Sequence, residues 1–374
     1  MSGNTASFEF PSVVPNEWAE MIKNTLLNYF SERENQTKKF GKNAEKWVTH
    51  LADFVADGGK RVRPTFLWLG WLAGGGSKYP ELAEAVTRVA AALEFVQAAA
   101  LIHDDIIDAS DTRRGKPSMH RIFEAEHKTL KDNGAAVGKS NDYGEASAML
   151  LGDIALCWAD DMFLTAGLTA PALQRALPYW SAMRTEMLTG QYLDINGETN
   201  PTVDADNARR VNRLKTAAYT IERPLHIGGA CAGMSTELHD ILSTYGINLG
   251  VAYQLRDDVL GVMGDSSITG KPSGGDIREG KRTVLLSYAL DALDRKEADF
   301  LWSLVGKDLS VTELDKAREL IAACGAITNS EREITRLADK AFAAVQSLRS
   351  LAGISEELGN AFELMIEKVI KRSF

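Results

Sequence analysis

Almost every stretch of this chain with a clear period spaces its apolar residues at three and four, which admits helices and little else. Segments near 16–38, 42–56, 61–73, 80–109, 145–166, 171–195, 204–222, 235–264, 311–324, 331–350 and 354–371 read this way. Short Gly/Pro/Asn breaks separate them, such as GGGSKYP at 74–80 and NGETNP at 196–201. There is no alternating strand run with hairpin chemistry, no heptad array and no long repeat. Two polar, glycine-rich stretches interrupt the helices: 131–144, read as a surface loop, and 264–282. No composition shift marks a domain boundary. The reading is all-α, one large domain over residues 16–374, with residues 1–15 a candidate disordered tail.

Composition narrows the function. A net charge of −9 argues against nucleic acid as the main partner, because phosphate-backbone binding needs a basic face. Cys157, Cys231 and Cys324 are scattered and odd in number, which fits a reducing cytosol without a disulfide framework or zinc spacing. The N-terminus lacks the basic-then-apolar pattern of a signal peptide. No run approaches the roughly 18 apolar residues of a membrane span. A soluble, cytoplasmic protein is expected.

Two acidic runs stand inside apolar helical stretches: Asp104, Asp105 and Asp108 in LIHDDIIDASDTRRGKP, and Asp257 and Asp258 in YQLRDDVLGVMGD. Like charges one turn apart cost helix stability, and unpaired carboxylates are costly to bury. A solvated acidic helix end would be the bland explanation, but Leu101, Ile102, Ile106 and Ile107 make the first run's flanks apolar. Breaking local rules twice in the same way points to function. Magnesium is the suited neutraliser, because it takes one or two carboxylates and fills its other positions with water and phosphate. Nearby cations supply the phosphate side: Lys60, Arg61 and Arg63 in GGKRVRP, Arg113 and Arg114 after the first run, and Lys271 and Lys281 after the second.

Two other motifs compete. His103-Asp104 with His50 suggests a metallophosphohydrolase, but leaves Asp105, Asp108 and the cations unexplained. His103 reads instead as a packed, hydrogen-bonded histidine. Residues 134–140 resemble a P-loop with one residue too few between the glycines and no preceding strand.

Taken together, GGKRVRP, LIHDDIIDASDTRRGKP, GQYLD, LKTA, YQLRDDVLGVMGD and TGKPSGGDIREGKRT resemble the trans-isoprenyl diphosphate synthases (polyprenyl synthetases), in that family's order over residues 58–283. The resemblance implies an all-α bundle around a central substrate cavity, usually a homodimer. The implied reaction joins isopentenyl diphosphate head to tail with an allylic diphosphate (dimethylallyl, geranyl or farnesyl). Asp104, Asp108 and Asp257 would hold magnesium, three ions per active site, while Asp105 and Asp258 orient ligands or waters. Lys60, Arg63, Gln97 and Arg114 would bind the isopentenyl diphosphate. Arg113, Lys215 and Lys271 would assist the leaving diphosphate, Lys281 would also contact substrate, and Thr216 and Gln254, helped by Tyr253, would stabilise the allylic cation. The departing diphosphate would take the final proton. Gly261 departs from the family's DDxxD pattern, so no ligand role carries to it; Asp276 is a candidate outer-sphere carboxylate.

Product length depends on what lies below the metals. Val96 and Ala100, eight and four residues before Asp104, and the small Ala99 put no aromatic stop there. Phe95, Leu93, Met149, Trp158 or Met162 are candidates for a deeper floor. The neighbourhood looks most like bacterial geranylgeranyl diphosphate synthases; farnesyl and longer products are the alternatives. A terpene cyclase would not need a second diphosphate site, and a non-catalytic synthase subunit would be expected to lose the acidic pairs.

Overall fold

The computed structural model describes residues 11–56, 59–264 and 274–370. The described residues are almost entirely helical, as the period requires, and they form two compact units.

The first unit comprises Met1–Ala176 with Gly228–Met234. It contains α1 (Trp18–Thr37), α2 (Lys42–Ala56), α3 (Val62–Ala73), α4 (Ala83–Ile107), α5 (Met119–Asp132) and α6 (Ser140–Leu164). Helix α4 is its spine and packs against α1, α3 and α6. Val89, Leu93, Phe95, Val96 and Ile102 of α4 are fully buried, and Phe95 meets Tyr29, Phe30 and Trp158 in an aromatic cluster. By length and mean hydropathy the stretch Pro80–Ile107 is apolar enough to cross a membrane, although polar residues such as Arg88, Glu94 and Gln97 interrupt it. Its most apolar window is 78% buried inside the protein, so it is the core helix of this unit. Of the proposed tail, residues 1–10 lie outside the described residues. Residues 11–15 are docked: Trp68 Nε1 donates to the Val13 carbonyl at 3.2 Å, and Val14 is buried.

The second unit comprises Leu177–Ile227 with Ser235–Phe374. It holds most of α7 (Ala170–Glu198), α8 (Ala205–Val211), a π-helical segment (Asn212–Glu222), the start of α9 (Arg223–Ala232), and α10 (Thr236–Met263). After these come α11 (Gly275–Glu279), α12 (Val284–Ala292), α13 (Arg295–Leu304), α14 (Val311–Ala323), α15 (Ala326–Arg349) and α16 (Glu356–Ile370). Here α10 is the spine, packed on the π segment and on α15. Arg256 anchors it, donating to Glu331 of α15 at 2.8 Å and to the Ile370 carbonyl at 3.3 Å. Tyr245 ties it to α16 through the Phe362 carbonyl at 2.9 Å.

Five described helices escaped the periodicity reading: α5, α9, α11, α12 and α13. Helix α5 buries Met119, His120, Phe123 and His127, so histidines occupy core positions and blur the apolar stripe. It ends at Asp132 and α6 starts at Ser140, which shortens the expected 131–144 loop. Helix α12 is short and buried on most sides, leaving little polar contrast. Helix α13 does carry a legible start, since Asp294 caps the Glu297 amide. A minimal hairpin is also present: β1 (Thr112–Arg113) pairs antiparallel with β2 (Lys116–Pro117).

Candidate active site

In the first unit the acids stand at the end of α4, where the helix dipole is negative and further negative charge is unfavourable. Asp105 is fully buried and Asp104 partly so, while Asp108 forms the C-cap. The hairpin brings the neutraliser. Arg114 and Gly115, at φ 55° and 74°, make a two-residue turn of the tight hairpin kind. Arg113, just before that turn, donates from Nε to Asp105 at 2.8 Å, bonds it again through Nη2, and reaches Asp104 at 3.3 Å. Even so, Asp105 Oδ2 is buried without a hydrogen-bond partner. Burial, opposed by Arg113 and reinforced by Asp104 and Asp108, pushes the Asp105 carboxyl up to about 6.

A basic well lies in the same unit. Arg61 is buried at the start of α3, forms an ion pair with buried Glu94 of α4, and donates to the Val55 carbonyl at 3.3 Å. Arg114 lies 5.7 Å over the Phe54 ring. Burial pushes its guanidinium pKa down, and Arg61, Arg113 and Arg63 add to this against Glu94. Arg61 and Arg63 thus lie in the field of Arg114 with Glu94 as the nearby counter-charge, while Arg113 is taken up by the aspartates, and such an excess of positive charge is where an anion gains most. Lys60 is exposed at the approach to α3. On α4, Gln97 and Ala100 keep partial solvent access along with Asp104 and Asp108, whereas Val96 and Ala99 are buried. Phe95, nine residues before Asp104, falls on the opposite helix face, within the aromatic cluster.

In the second unit the π segment carries Lys215 and Thr216, and π-helical turns are frequent at functional sites. Lys215 Nζ pairs with Asp194 of the GQYLD motif at 2.7 Å. The Thr216 hydroxyl donates to Gln254 Oε1 at 2.5 Å, and Gln254 Nε2 donates to Asp258 Oδ1 at 2.7 Å. Asp258 is buried, and its Oδ2 has no hydrogen-bond partner. Burial first, then the Asp276 and Asp257 carboxylates, push Asp258 up to about 8 against the bond from Gln254 and the nearby Asn212 amide. Asp257, Tyr253 and Gln254 are partly accessible on one face of α10. Lys281 pairs with Glu279 at 2.6 Å. Lys271 lies outside the described residues.

Among the described residues no three His, Cys, Asp or Glu side chains converge as a ready metal cage. The donors come as carboxylate pairs beside buried carboxylate oxygens without partners, a set that fits magnesium shared with phosphate oxygens. The competing histidines are engaged elsewhere: His103 Nε2 bonds the Met149 carbonyl at 3.1 Å, and His50 lies 3.1 Å from Glu126. The P-loop-like stretch follows helix α5 rather than a strand. Sequence reasoning missed Glu94 as the counter-charge of the basic well and Asn212 as a buried polar neighbour of Asp258. A lone glutamate within the apolar run of α4 was the available signal for the first; none marked the second.

Comparison with known proteins agrees with this geometry. The polyprenyl synthetase family matches residues 45–321. Geranylfarnesyl diphosphate synthase of Aeropyrum pernix is 31% identical over 85% of this chain and 92% of its own. Octaprenyl diphosphate synthase of Escherichia coli is 30% identical over 79% and 81%. A crystal structure of geranylgeranyl pyrophosphate synthase from Corynebacterium glutamicum, complexed with isoprenyl diphosphate and magnesium, is 42% identical. It superposes with a TM-score of 0.91 over 96% of this chain and 99% of that one. The chain belongs to the polyprenyl synthetase family.

Proposed function

We propose that this enzyme condenses isopentenyl diphosphate head to tail with an allylic diphosphate and releases geranylgeranyl diphosphate, using three magnesium ions. One observation carries the reading: the carboxylates ending α4, held by Arg113, and a cluster of Arg61, Arg63 and Arg114 are built into the same unit. Acids call for a metal-bound diphosphate, and the arginines supply a separate metal-free seat for a second one. A terpene cyclase has no use for that second seat.

Magnesium, when bound, supplies Lewis-acid stabilisation of the charge growing on the leaving diphosphate. The chain's residues do the rest. Asp104, Asp108 and Asp257 present the accessible carboxylates. Asp105 is held by Arg113, which fixes the end of α4 and spares Asp104 and Asp108 for ligands. Lys60, Arg63, Gln97 and Arg114 hold the isopentenyl diphosphate, with Arg61 and Glu94 setting their spacing from beneath. Lys215 and Lys271 add positive charge to the leaving group, and Lys281 contacts substrate. The Thr216 hydroxyl and Gln254 carbonyl, already bonded to each other, aim fixed dipoles at the allylic cation. Family membership is the ground for assigning both acidic sets to the same leaving diphosphate.

The product assignment rests on the small, partly accessible Ala100 below Asp104 and on the Corynebacterium likeness. A homodimer is proposed from the outward face of α6, where Met149, Leu150 and Leu164 are 51%, 59% and 52% exposed. The cytoplasm is the proposed location. Incubation with magnesium, labelled isopentenyl diphosphate and each allylic primer, followed by chromatography, tests the reading. A dominant C20 product is expected. A C15 or longer product would reassign the length, and no incorporation from any primer would remove the synthase reading.

A further inference from the structure

The π-helical segment 212–222 is tied across its length by one ion pair. Arg213 Nη2 lies 2.5 Å from Glu222 Oε2, and Glu222 is buried. Neither Glu222 Oε2 nor Arg213 Nη1 makes an aligned hydrogen bond, so the contact is a pairing of charges. The two residues stand nine apart in the chain. An α-helix advances about 100° per residue, which would put residues nine apart on opposite faces. A π-helix, whose bonds reach back five residues instead of four, advances about 80° per residue and returns them to one face. The pair can therefore form along the segment only in the π register. That register is seen at the segment's end, where the Arg223 amide donates to the Ala218 carbonyl, five residues back.

The packing around the segment fits the same purpose. A π coil is wider than an α coil, and bare backbone receives it at three points. A Cβ on Gly190 of α7 would stand 2.5 Å from the Lys215 nitrogen. On α10, one at Gly250 would stand 2.4 Å from Ala217 Cα and one at Gly246 2.6 Å from Glu222 Cα. Arg223 stands 3.9 Å from Glu222 but is held by Glu186 at 2.7 and 2.5 Å, which leaves Glu222 to Arg213.

We propose that the Arg213–Glu222 ion pair is a clip that holds residues 212–222 in π register, and that both are positioning residues for Lys215 and Thr216 between them. The inference rests on the reading above, in which Lys215 faces the leaving diphosphate and Thr216 the allylic cation. Relaxation to an α coil changes the turn by about 20° per residue, so Thr216, three residues after Arg213, would swing about 60° away from its partner Gln254. Lys215 would turn in the same sense against Asp194.

The test uses Arg213→Met, Glu222→Gln and the double variant. Each single change strands a charge and threatens the fold, whereas the double variant strands neither. It is assayed well below its measured Tm with labelled isopentenyl diphosphate, and its crystal structure is solved. Its kcat should stay at least about 10-fold below wild type. Its KM for isopentenyl diphosphate should change by less than about twofold, because that substrate's seat is built in the other unit. A pair that served stability alone would give wild-type kcat once both charges are gone, and that result would overturn the proposal. In the crystal the Arg223 amide should bond four residues back, to the Tyr219 carbonyl. Retention of the Ala218 bond would also overturn the proposal. The structural readout does not depend on turnover, so failure of the synthase reading would show separately, as a wild type that elongates no primer.

Discussion

Gly250→Ala probes how the fold holds its chemistry. Gly250 sits on α10 where a Cβ would stand 2.4 Å from Ala217 Cα and 2.5 Å from Ala217 Cβ. Carbon atoms at rest are separated by about 3.5–4.0 Å, so the added methyl is short of room by about 1 Å. The obstructing atoms lie on or next to the π-segment backbone, and no flexible side chain can swing aside. Helix α10 and the π segment must separate. Overpacking of this kind costs about 1–3 kcal/mol. Alanine's helix propensity returns about 1 kcal/mol. The net loss should be at most about 2 kcal/mol, a fall in Tm of no more than about 8 °C.

Catalysis should suffer far more. The 2.5 Å Thr216–Gln254 bond spans the interface being opened. A misplacement of about 1 Å costs on the order of 100-fold in rate. Labelled isopentenyl diphosphate incorporation and calorimetry on the same preparation should show kcat down about 100-fold with a modest Tm shift. Gly246→Ala is the control, since its Cβ would meet Glu222 Cα at 2.6 Å, at the far end of the π segment from Thr216. It should match the stability loss with a smaller loss of kcat. A Gly250→Ala enzyme within about threefold of wild type would refute the idea that this spacing aligns Thr216 and Gln254.

Other outcomes follow from the same geometry. Because Asp258 is raised to about 8 by burial and its acidic neighbours, folding favours its protonated form. That contribution is complete below the usual carboxylate range and is lost as pH rises through about 8. In metal-free buffer, wild type should therefore lose Tm relative to Asp258→Asn between about pH 5 and about pH 8.5, and parallel curves would show an ordinary carboxyl. Glu94→Ala strands the buried Arg61 and should cost about 3–5 kcal/mol in chemical denaturation. A loss under about 1 kcal/mol would mean that the pair is solvated. Ala100→Phe should shorten the dominant product by at least one isoprene unit, and an unchanged chain-length distribution would remove Ala100 from the chain path.

What the sequence showed depended on how local each feature is. The acids ending α4 were legible because like charges interrupt an unbroken apolar run, a contradiction visible within ten residues. The clamp of Arg113 on Asp105 was not, because it depends on Arg114 adopting a positive φ, which few non-glycine residues do. The π segment was read as ordinary helix across 204–222, since an apolar period cannot separate a π turn from an α turn. The segment packs against Gly250 on α10, 33 residues beyond Ala217 in the chain, a contact no local pattern shows. Gly261 was read as a missing ligand, whereas its bare backbone is filled by a carboxylate from another helix.

The central claim is that the acids at the end of α4 exist for diphosphate chemistry and not for the fold. Asp104→Asn, followed by labelled isopentenyl diphosphate incorporation and thermal unfolding together, tests it most directly. Asp104 is partly exposed and its contact with Arg113 is a long 3.3 Å, so removing its charge should leave Tm nearly unchanged. Turnover should fall by at least about 100-fold. Near-normal turnover, or a collapse of stability that accounts for the lost activity, would contradict the claim.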